Sequence, residues 1–435
     1  MDIQRRELLP GVFLNTLHEE RFKTDCLSVS LLTQLDRKTV SMNALLPRVL
    51  ARGTTFHPDM NAISAACDEL YGARMIPCVR KRGEILAVGF FSTFLPDRFT
   101  PDGSRVLEPT ARLLGELLLS PSTRGGLLRK EFVESEKEKL IDDIRAAVND
   151  KRAYAVQRLI EQMCEYEPYG CDDMGTEEDA AAVGYVELTR HYHDLLQSAP
   201  VEIFYCGAAD PDSIADALHE VFITLPRGDI NYDLGTDIRM NALESEPRCF
   251  DETMDVTQGK LCLGFRLGEC MEDPDFASIL VFNALYGGSV TSRLFLNVRE
   301  RLSLCYYASS ACDTNKGIML VSSGIEFEKF GEAKAEILSQ LESIRRGEIT
   351  DEELDSARKA VASDLRALQD SAGGLENFYL NQTLRGLDYG PDVMAALCEG
   401  VGREDVLTVA RGIELDAVYF LHGAAGEEEE ADAED

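Results

Sequence analysis

Residues 22–54, FKTDCLSVSLLTQLDRKTVSMNALLPRVLARGT, join a strand pattern to a helix pattern. In the first part Leu27, Val29 and Leu31 alternate with other residues, which predicts a strand with one apolar face. The stretch VSMNALLPRVLARGT then has apolar residues at helical spacing. A second helix and a strand hairpin follow, in MNAISAACDELYGA (60–73), ARMIPCVRK (73–81) and EILAVGFFSTFL (84–95).

The same order of elements returns in the second half of the chain, in GKLCLGFRL (259–267), DFASILVFNALYGG (275–288), VTSRLFLNVRERL (290–302), LCYYASSACD (304–313) and KGIMLVSSGIE (316–326). Both halves continue into long helical stretches and close with a strand, VEIFYCG (201–207) and AVYFLHG (417–423). Strands grouped with helices on one side indicate an α+β fold, here with two homologous repeats. Each repeat is predicted to hold an antiparallel or mixed sheet packed against helices.

Turn residues between the repeats, PRGDINYDLG and ESEP, read as a linker. We predict an N-terminal domain over 1–224, a linker over 225–245 and a C-terminal domain over 246–423. Residues 424–435 form an acidic tail, and its like-charge block EEEEADAED is predicted to be disordered.

The net charge of the chain argues against some classes of binding partner. The formal net charge is −33, which disfavours nucleic acid and anionic membrane as partners. The negative charge favours a basic peptide or a basic subunit as the binding partner. The alternative is that the charge only keeps the protein soluble. No long apolar run predicts a membrane span, and the N-terminal residues lack the pattern of a signal peptide. The 12 cysteines include no C-x-x-C pair, so buried free thiols in the cytoplasm are expected, for example at Cys26, Cys78, Cys206 and Cys262.

With this repeat, the chain resembles the M16 (insulinase and mitochondrial processing peptidase-like) metallopeptidases. The resemblance implies the LuxS/MPP-like metallohydrolase fold. In that family an H-x-x-E-H zinc motif lies on the first helix, shortly before a Gly-Thr. Gly53-Thr54 stands in that place here, so the two His positions fall on Ala44 and Arg48 and the Glu position on Pro47.

These three residues cannot perform zinc chemistry. Hydrolysis by zinc needs two neutral imidazoles one helical turn apart, a carboxylate ligand, and a base for the metal-bound water. Ala44 has no lone pair, Arg48 is a permanent cation, and Pro47 is no base and disrupts a helix. The resemblance therefore predicts no catalytic residue and no metal or other cofactor, although active relatives use zinc.

The family's third ligand is a Glu on a later helix, seven residues after another Glu. Glu136 matches the first of these and Asp143 falls on the ligand position. The alternative is a solvated helix face held by charge pairs within the helix. His191 and His193 are two apart, so they cannot form an i,i+4 metal pair and read as a helix surface.

The second repeat keeps more of the family pattern. Gly287-Gly288 precede a helix, and Arg299 and Tyr306 match an Arg and a Tyr that bind substrate backbone in active members. By resemblance these two residues would donate hydrogen bonds to a peptide carbonyl. Alternatively, Tyr306 packs structurally and Arg299 pairs with Glu300 or Glu269.

The family also adds a substrate strand to a sheet edge. The matching strand here begins at Tyr71-Gly72-Ala73 and contains Pro77, which fits only an edge strand and removes one backbone donor. DKRAYAVQRL (150–159), LYGA (70–73) and GTEE (175–178) resemble short bacterial homologues that lack zinc ligands and occur beside an intact paralogue.

Three functions remain open from the sequence. The first is an inactive subunit that pairs with an active M16 paralogue, or with a second copy of itself, and helps form a peptide-binding chamber. The second is a non-proteolytic binding or assembly protein on the same fold. The third is a zinc-dependent endopeptidase with an unconventional site.

Overall fold

The computed structural model describes residues 3–268, 271 and 276–424. The chain forms two compact units, each made of three separate segments. Unit one comprises Met1–Val148, Tyr166–Ile238 and Ala362–Glu399, and unit two comprises Asn149–Glu165, Arg239–Val361 and Gly400–Asp435. The acidic segment 427–435, where we predicted disorder, lies outside the described residues. The predicted domain boundaries stay a prediction.

The strands are numbered along the chain as β1 (Gln4–Leu9), β2 (Val12–His18), β3 (Asp25–Gln34), β4 (Arg74–Arg82), β5 (Ile85–Phe94), β6 (Thr123–Arg124), β7 (Leu127–Leu128), β8 (Val201–Gly207), β9 (Arg248–Thr253), β10 (Gly259–Arg266), β11 (Cys305–Asp313), β12 (Ile318–Ile325) and β13 (Glu414–His422).

The α-helices are α1 (Val40–Leu50), α2 (Met60–Glu69), α3 (Leu107–Leu119), α4 (Lys130–Ala146), α5 (Lys151–Met163), α6 (Glu177–Ala182), α7 (Tyr185–Ser198), α8 (Pro211–Phe222), α9 (Ala277–Asn283), α10 (Phe330–Arg345), α11 (Asp351–Ala367), α12 (Ala372–Leu384), α13 (Pro391–Gly400) and α14 (Arg403–Gly412). Two π-helical segments, Ala284–Gly288 and Leu294–Arg301, follow α9. In the described part of the chain, no helix is both long and apolar enough to cross a bilayer.

The two sheets share one topology. The sheet of unit one has the order β1-β2-β8-β3-β5-β4, and the sheet of unit two has the order β11-β12-β10-β13-β9. Apart from β1 and the separate two-stranded β6–β7 sheet, each strand of unit one has a counterpart in unit two when the second order is read from β9 to β11. The pairs β2–β8 and β9–β13 are parallel, and the other pairs within these two sheets are antiparallel. The predicted α+β fold with two homologous repeats is therefore confirmed.

One helix from each half of the sequence packs against the sheet of the other repeat. Helix α5 packs on β10 and β13 in unit two, and α12 packs on β3 and β8 in unit one. On α12, Leu375 and Tyr379 bury Cys26, Phe204 and Cys206 of the first sheet. As a result β3 is buried along most of its length on both faces, where the sequence pattern predicted a single apolar face.

Buried ion pairs reinforce each unit. In unit one, Glu376 of α12 accepts hydrogen bonds from both Arg80 guanidinium ends at 2.5 and 2.8 Å, and from Ser28 Oγ at 2.7 Å. In unit two, Arg266 and Arg248 donate to the buried Asp416 carboxylate at 2.7 and 3.0 Å. A charge so far from water is tolerated only when it is paired, so these residues fix the packing of their elements.

Several elements were missed or misplaced by the sequence patterns. Strands β1, β2 and β9 were not predicted, and the stretch expected to form the second helix of the second repeat is largely π-helical. Among the four cysteines expected to be buried, Cys26, Cys206 and Cys262 are buried, whereas Cys78 is half-buried because β4 lies at the sheet edge.

Candidate functional site

The motif positions on α1 line a cleft in unit one. Ala44, Pro47 and Arg48 face Pro77 and Cys78 of β4 across a cavity of about 250 Å³. Pro47 lies inside the helix, which continues to Leu50, and the Pro47 carbonyl accepts the Ala51 N–H. The first helix therefore forms as the sequence predicts. At the three motif positions it presents the methyl group of Ala44, the pyrrolidine ring of Pro47 and the guanidinium of Arg48.

A salt bridge joins the two positions that match zinc ligands on different helices. The Arg48 Nη1 atom of α1 lies 2.5 Å from Asp143 Oδ2 of α4. These side chains are 29% and 54% exposed, so the pair is partly solvated and its stabilisation is modest. The chain thus places a permanent cation beside the carboxylate that falls, by resemblance, on a zinc-ligand position.

A second salt bridge lies one turn further along the chain, just past the end of α1. Arg52 donates to Glu136 Oε1 at 2.6 Å and stacks on Phe132, with 5.3 Å from the guanidinium carbon to the ring centroid. Lys139 also donates to Glu136 at 2.7 Å. Glu136 is only 6% exposed. This part of α4 is therefore buried against the end of α1, whereas the charge pattern had suggested a solvated face.

The donor set does not fit zinc. Over residues 3–268, 271 and 276–424, no group of three or more His, Cys, Asp or Glu side chains is arranged to hold a metal ion. His191 is half-buried, and its Nε2 lies 2.7 Å from Asn43 Oδ1, so it joins α7 to α1. Burial lowers the pKa of His191, against the opposing effects of Asp194 and Glu187. His193 points to solvent as expected.

The strand that resembles the family's substrate edge is β4, which lies at the end of the first sheet. Pro77 pairs with Phe90 of β5 and has no N–H to offer on either side. Ile76 beside it is 43% exposed. The edge position of the proline agrees with the sequence argument, and an added strand would find one donor fewer here.

Arg299 and Tyr306 share one cleft in unit two. Its volume is about 350 Å³, and Glu300, Cys305 and Glu326 also line it. Arg299 comes from the second π-helical segment. Tyr306 lies at a register irregularity near the start of β11, between Cys305 and Tyr307. This β-bulge turns the Tyr306 side chain outward, and it is 61% exposed.

The local contacts of Arg299 and Tyr306 show whether each side chain is held by the protein or can bind a ligand. Arg299 Nε lies 3.4 Å from Glu300 Oε1, and its guanidinium carbon lies 4.6 Å from the Phe295 ring centroid. The Glu300 alternative is therefore present, while Glu269 lies outside the described residues. Tyr306 does not pack into a core, so its phenol is available to a ligand.

The glycine pair before this segment is sterically required. A Cβ on Gly287 would lie 2.7 Å from the Ser310 nitrogen, and one on Gly288 would lie 2.5 Å from Asn283 Nδ2. Both distances are too short for a real side chain. Gly287 and Gly288 therefore allow Ser310 and Asn283 to approach the backbone closely at the end of the first π-helical segment.

Comparison with known proteins gives consistent matches. A family profile described as the inactive domain of peptidase M16 matches residues 183–361. The chain is 31% identical over 417 residues to the probable inactive metalloprotease YmfF of Bacillus subtilis, covering 96% of this chain and 97% of that protein. It is 24% identical to the uncharacterized zinc protease YmxG of the same organism, over 55% of this chain and 57% of the relative.

Solved structures show the same fold. A conserved protein from Enterococcus faecalis V583 superposes with a TM-score of 0.86 at 28% identity, covering 98% of this chain and 100% of that one. A peptidase M16 inactive domain from Pseudomonas fluorescens superposes with a TM-score of 0.78 at 15% identity, with 98% and 100% covered. A chain of Complex III2 from Candida albicans does so with a TM-score of 0.71 at 13% identity, over 95% and 94%.

Proposed function

Since the chain belongs to the M16 peptidase family, we propose that it is a non-catalytic member that pairs with a second M16 chain and helps form a peptide-binding chamber. The partner is a zinc-bearing paralogue or, failing that, another copy of this chain. With a zinc-bearing paralogue, proteolysis is performed by that partner, and this chain contributes surface and binding groups.

The observation that carries the proposal is the Arg48–Asp143 salt bridge. It joins two positions that match zinc ligands in active members, and it fills them with a cation and its counter-ion. Ala44 and Pro47 supply neither a third donor nor a base for a water molecule. The chain therefore has no groups at these positions with which to activate water.

The cleft of Arg299 and Tyr306 supports a role in peptide binding. Both groups donate hydrogen bonds, both are partly exposed, and they open on the same cavity. A peptide carbonyl placed there would accept from the phenol and the guanidinium, and a developing oxyanion would accept more strongly. These residues would act on a substrate held by the partner's active site.

The test is reconstitution with the zinc-bearing paralogue from the same genome. We expect the two chains to co-purify, and peptide hydrolysis to exceed that of the paralogue alone. Arg299→Ala combined with Tyr306→Phe should reduce kcat/KM of the complex by about tenfold or more, since two donors are lost. Arg301→Ala with Tyr232→Phe is the matched control, because both residues are exposed and lie outside the cleft.

Two results would reject this function. One is a complex whose activity is the same with the cleft variant as with the control variant. The other is the absence of any stable association with an M16 chain, the paralogue or a second copy.

A non-proteolytic assembly role is the second candidate. The specific observation in its favour is that the fold also occurs in a chain of Complex III2 from Candida albicans. Purification of the chain from its native cells as part of a complex without a peptidase would favour this role. Purification with an intact H-x-x-E-H chain would favour the first.

A further inference from the structure

A row of three residues crosses the sheet of unit two near the end of β13. Lys260 on β10 pairs with Leu421 of β13 on one side and with Gly324 of β12 on the other. Gly324 in turn pairs with Tyr307 of β11. Lys260, Gly324 and Tyr307 therefore lie side by side on three neighbouring strands.

The glycine in this row allows the tyrosine ring to lie flat across the sheet. A Cβ on Gly324 would lie 2.5 Å from Tyr307 Cε1 and 2.9 Å from Cδ1, which no real side chain permits. A glycine inside a strand weakens it, and its usual explanation is the close approach of another group. Here that group is the Tyr307 ring, which extends over Gly324 toward Lys260.

Two cations converge on this ring. The guanidinium carbon of Arg152, at the start of α5, lies 4.2 Å from the Tyr307 ring centroid, and Lys260 Nζ lies 5.9 Å from it. Arg152 Nη2 also donates to Ser309 Oγ at 2.9 Å, and Ser322 Oγ lies 3.4 Å from the Tyr307 hydroxyl. The guanidinium is thus held in place by a ring and a hydroxyl.

Neither cation has a protein counter-ion. This holds for residues 3–268, 271 and 276–424, where no carboxylate lies within the 4.0 Å of a salt bridge from Arg152 or Lys260, and the side-chain partner of Lys260 Nζ is the neutral amide oxygen of Gln258. The acid whose charge reaches Lys260 is Asp150, and its carboxylate accepts the backbone N–H groups of Arg152 and Ala153. Partial burial and the charge of Arg152 lower the pKa of Lys260. Two adjacent positive charges are unexpected in a chain with 77 acidic and 44 basic residues.

We propose that Arg152 and Lys260, arranged by Tyr307 and Ser309, form a binding site for the carboxylates of an acidic peptide segment. A planar guanidinium matches a planar carboxylate through paired N–H donors, and Lys260 adds a second charge. Binding there removes the repulsion between the two cations. The site is independent of the Arg299 and Tyr306 cleft and of the function proposed above.

One source of carboxylates lies in this chain itself. The sequence EEEEADAED at 427–435 follows shortly after Leu421, the strand partner of Lys260. The other source is an acidic segment of a different polypeptide. Both segments would bind through side-chain carboxylates, and they are distinguished by removing the carboxylates of the chain's own segment.

The probe is a fluorescent peptide with the sequence EEEEADAED, and its anisotropy is measured against the full chain. To free the site from its own acidic side chains, a second protein carries Glu→Gln changes at the five glutamates and Asp→Asn changes at the two aspartates of the segment 427–435. In that protein we expect saturable binding, and Arg152→Gln with Lys260→Met should weaken it by about tenfold or more. Tighter binding to this protein than to the natural chain identifies the chain's own segment as the occupant, and equal binding identifies an external one.

Two controls separate the site from general charge. Arg346→Gln with Lys359→Met removes the same two charges from exposed positions of unit two and should change the affinity less than twofold, since exposed charges act weakly. Gly324→Ala leaves the charge unchanged, displaces the Tyr307 ring and should weaken binding. Circular dichroism checks that each variant is folded. Absence of saturable binding, or equal weakening by the two double variants, overturns the proposal.

Discussion

Glu376→Ala should be among the most destabilising single changes in unit one. The Glu376 side chain is 3% exposed, and it accepts two hydrogen bonds from Arg80 and one from Ser28. Truncation removes the carboxylate and leaves the Arg80 guanidinium, itself only 17% exposed, without a counter-ion. Breaking one partner of a buried pair costs about 3–5 kcal/mol, so the free energy of unfolding should fall by that amount.

A matched exposed pair provides the control. Glu399 lies 2.8 Å from Arg366 in the same unit, at nearly the same distance, but the side chains are 47% and 49% exposed. Glu399→Ala should therefore cost about 0–1 kcal/mol. Replacing both Arg80 and Glu376 with Met should recover most of the loss, because no unpaired buried charge then remains.

The assay is urea unfolding followed by circular dichroism, combined with amide hydrogen exchange of peptides from α12. Exchange is needed because two units need not unfold in one step, and it reports the opening of α12 directly. A cost for Glu376→Ala no larger than that for Glu399→Ala would refute the reasoning. So would a double Met variant that is as unstable as the single Ala variant.

Two further predictions concern the first helix and its neighbours. The combined change Ala44→His, Arg48→His and Asp143→Glu should give a protein that retains one zinc ion per chain after gel filtration, as measured by metal analysis. The reason is that the side chains of Arg48 and Asp143 are already in contact. A triple variant without zinc would show that the two helices cannot hold a metal. Because the pKa of His191 is lowered in the folded chain, the unfolded chain binds a proton at this residue more readily. The stability that the neutral His191 contributes is therefore complete above the unfolded pKa of about 6.5, and it is lost as the pH falls below that value. His191→Gln should therefore flatten the loss of stability between about pH 7 and pH 5 in urea unfolding, and the exposed His193→Gln should leave it steep.

The repeat could be predicted because periodicity is a local property of the sequence. Leu27, Val29 and Leu31 alternate within a few residues, and the same alternation returns in β10 at Leu261, Leu263 and Phe265. Strand β9 was missed because its residues alternate between half-buried and exposed, so no apolar face marks it. Strand β1 was missed for the same reason, because its residues are exposed or half-buried and four of the six are polar.

The zinc-motif positions could also be located from the sequence, but their present contacts could not. Arg48 and Asp143 are 95 residues apart, and nothing local to either residue indicates the other. Glu136 looked solvated because its neighbours in the sequence are charged, yet Arg52 buries it from a different element. The Arg152 and Tyr307 stack depends on α5 packing on the second sheet, which local patterns do not encode.

The placement of α12 on the first sheet has a consequence during translation. The Cys26 side chain contacts the Ala372 carbonyl, and these residues are separated by 346 positions. At about 5–20 residues per second, a ribosome needs on the order of 20–70 s between making β3 and making α12. Until α12 is made, the strands of the first sheet that have been synthesised, first β3 and later β8, have one apolar face without its natural cover. A holdase chaperone, or a nearby partner chain, would find its most persistent target on that face.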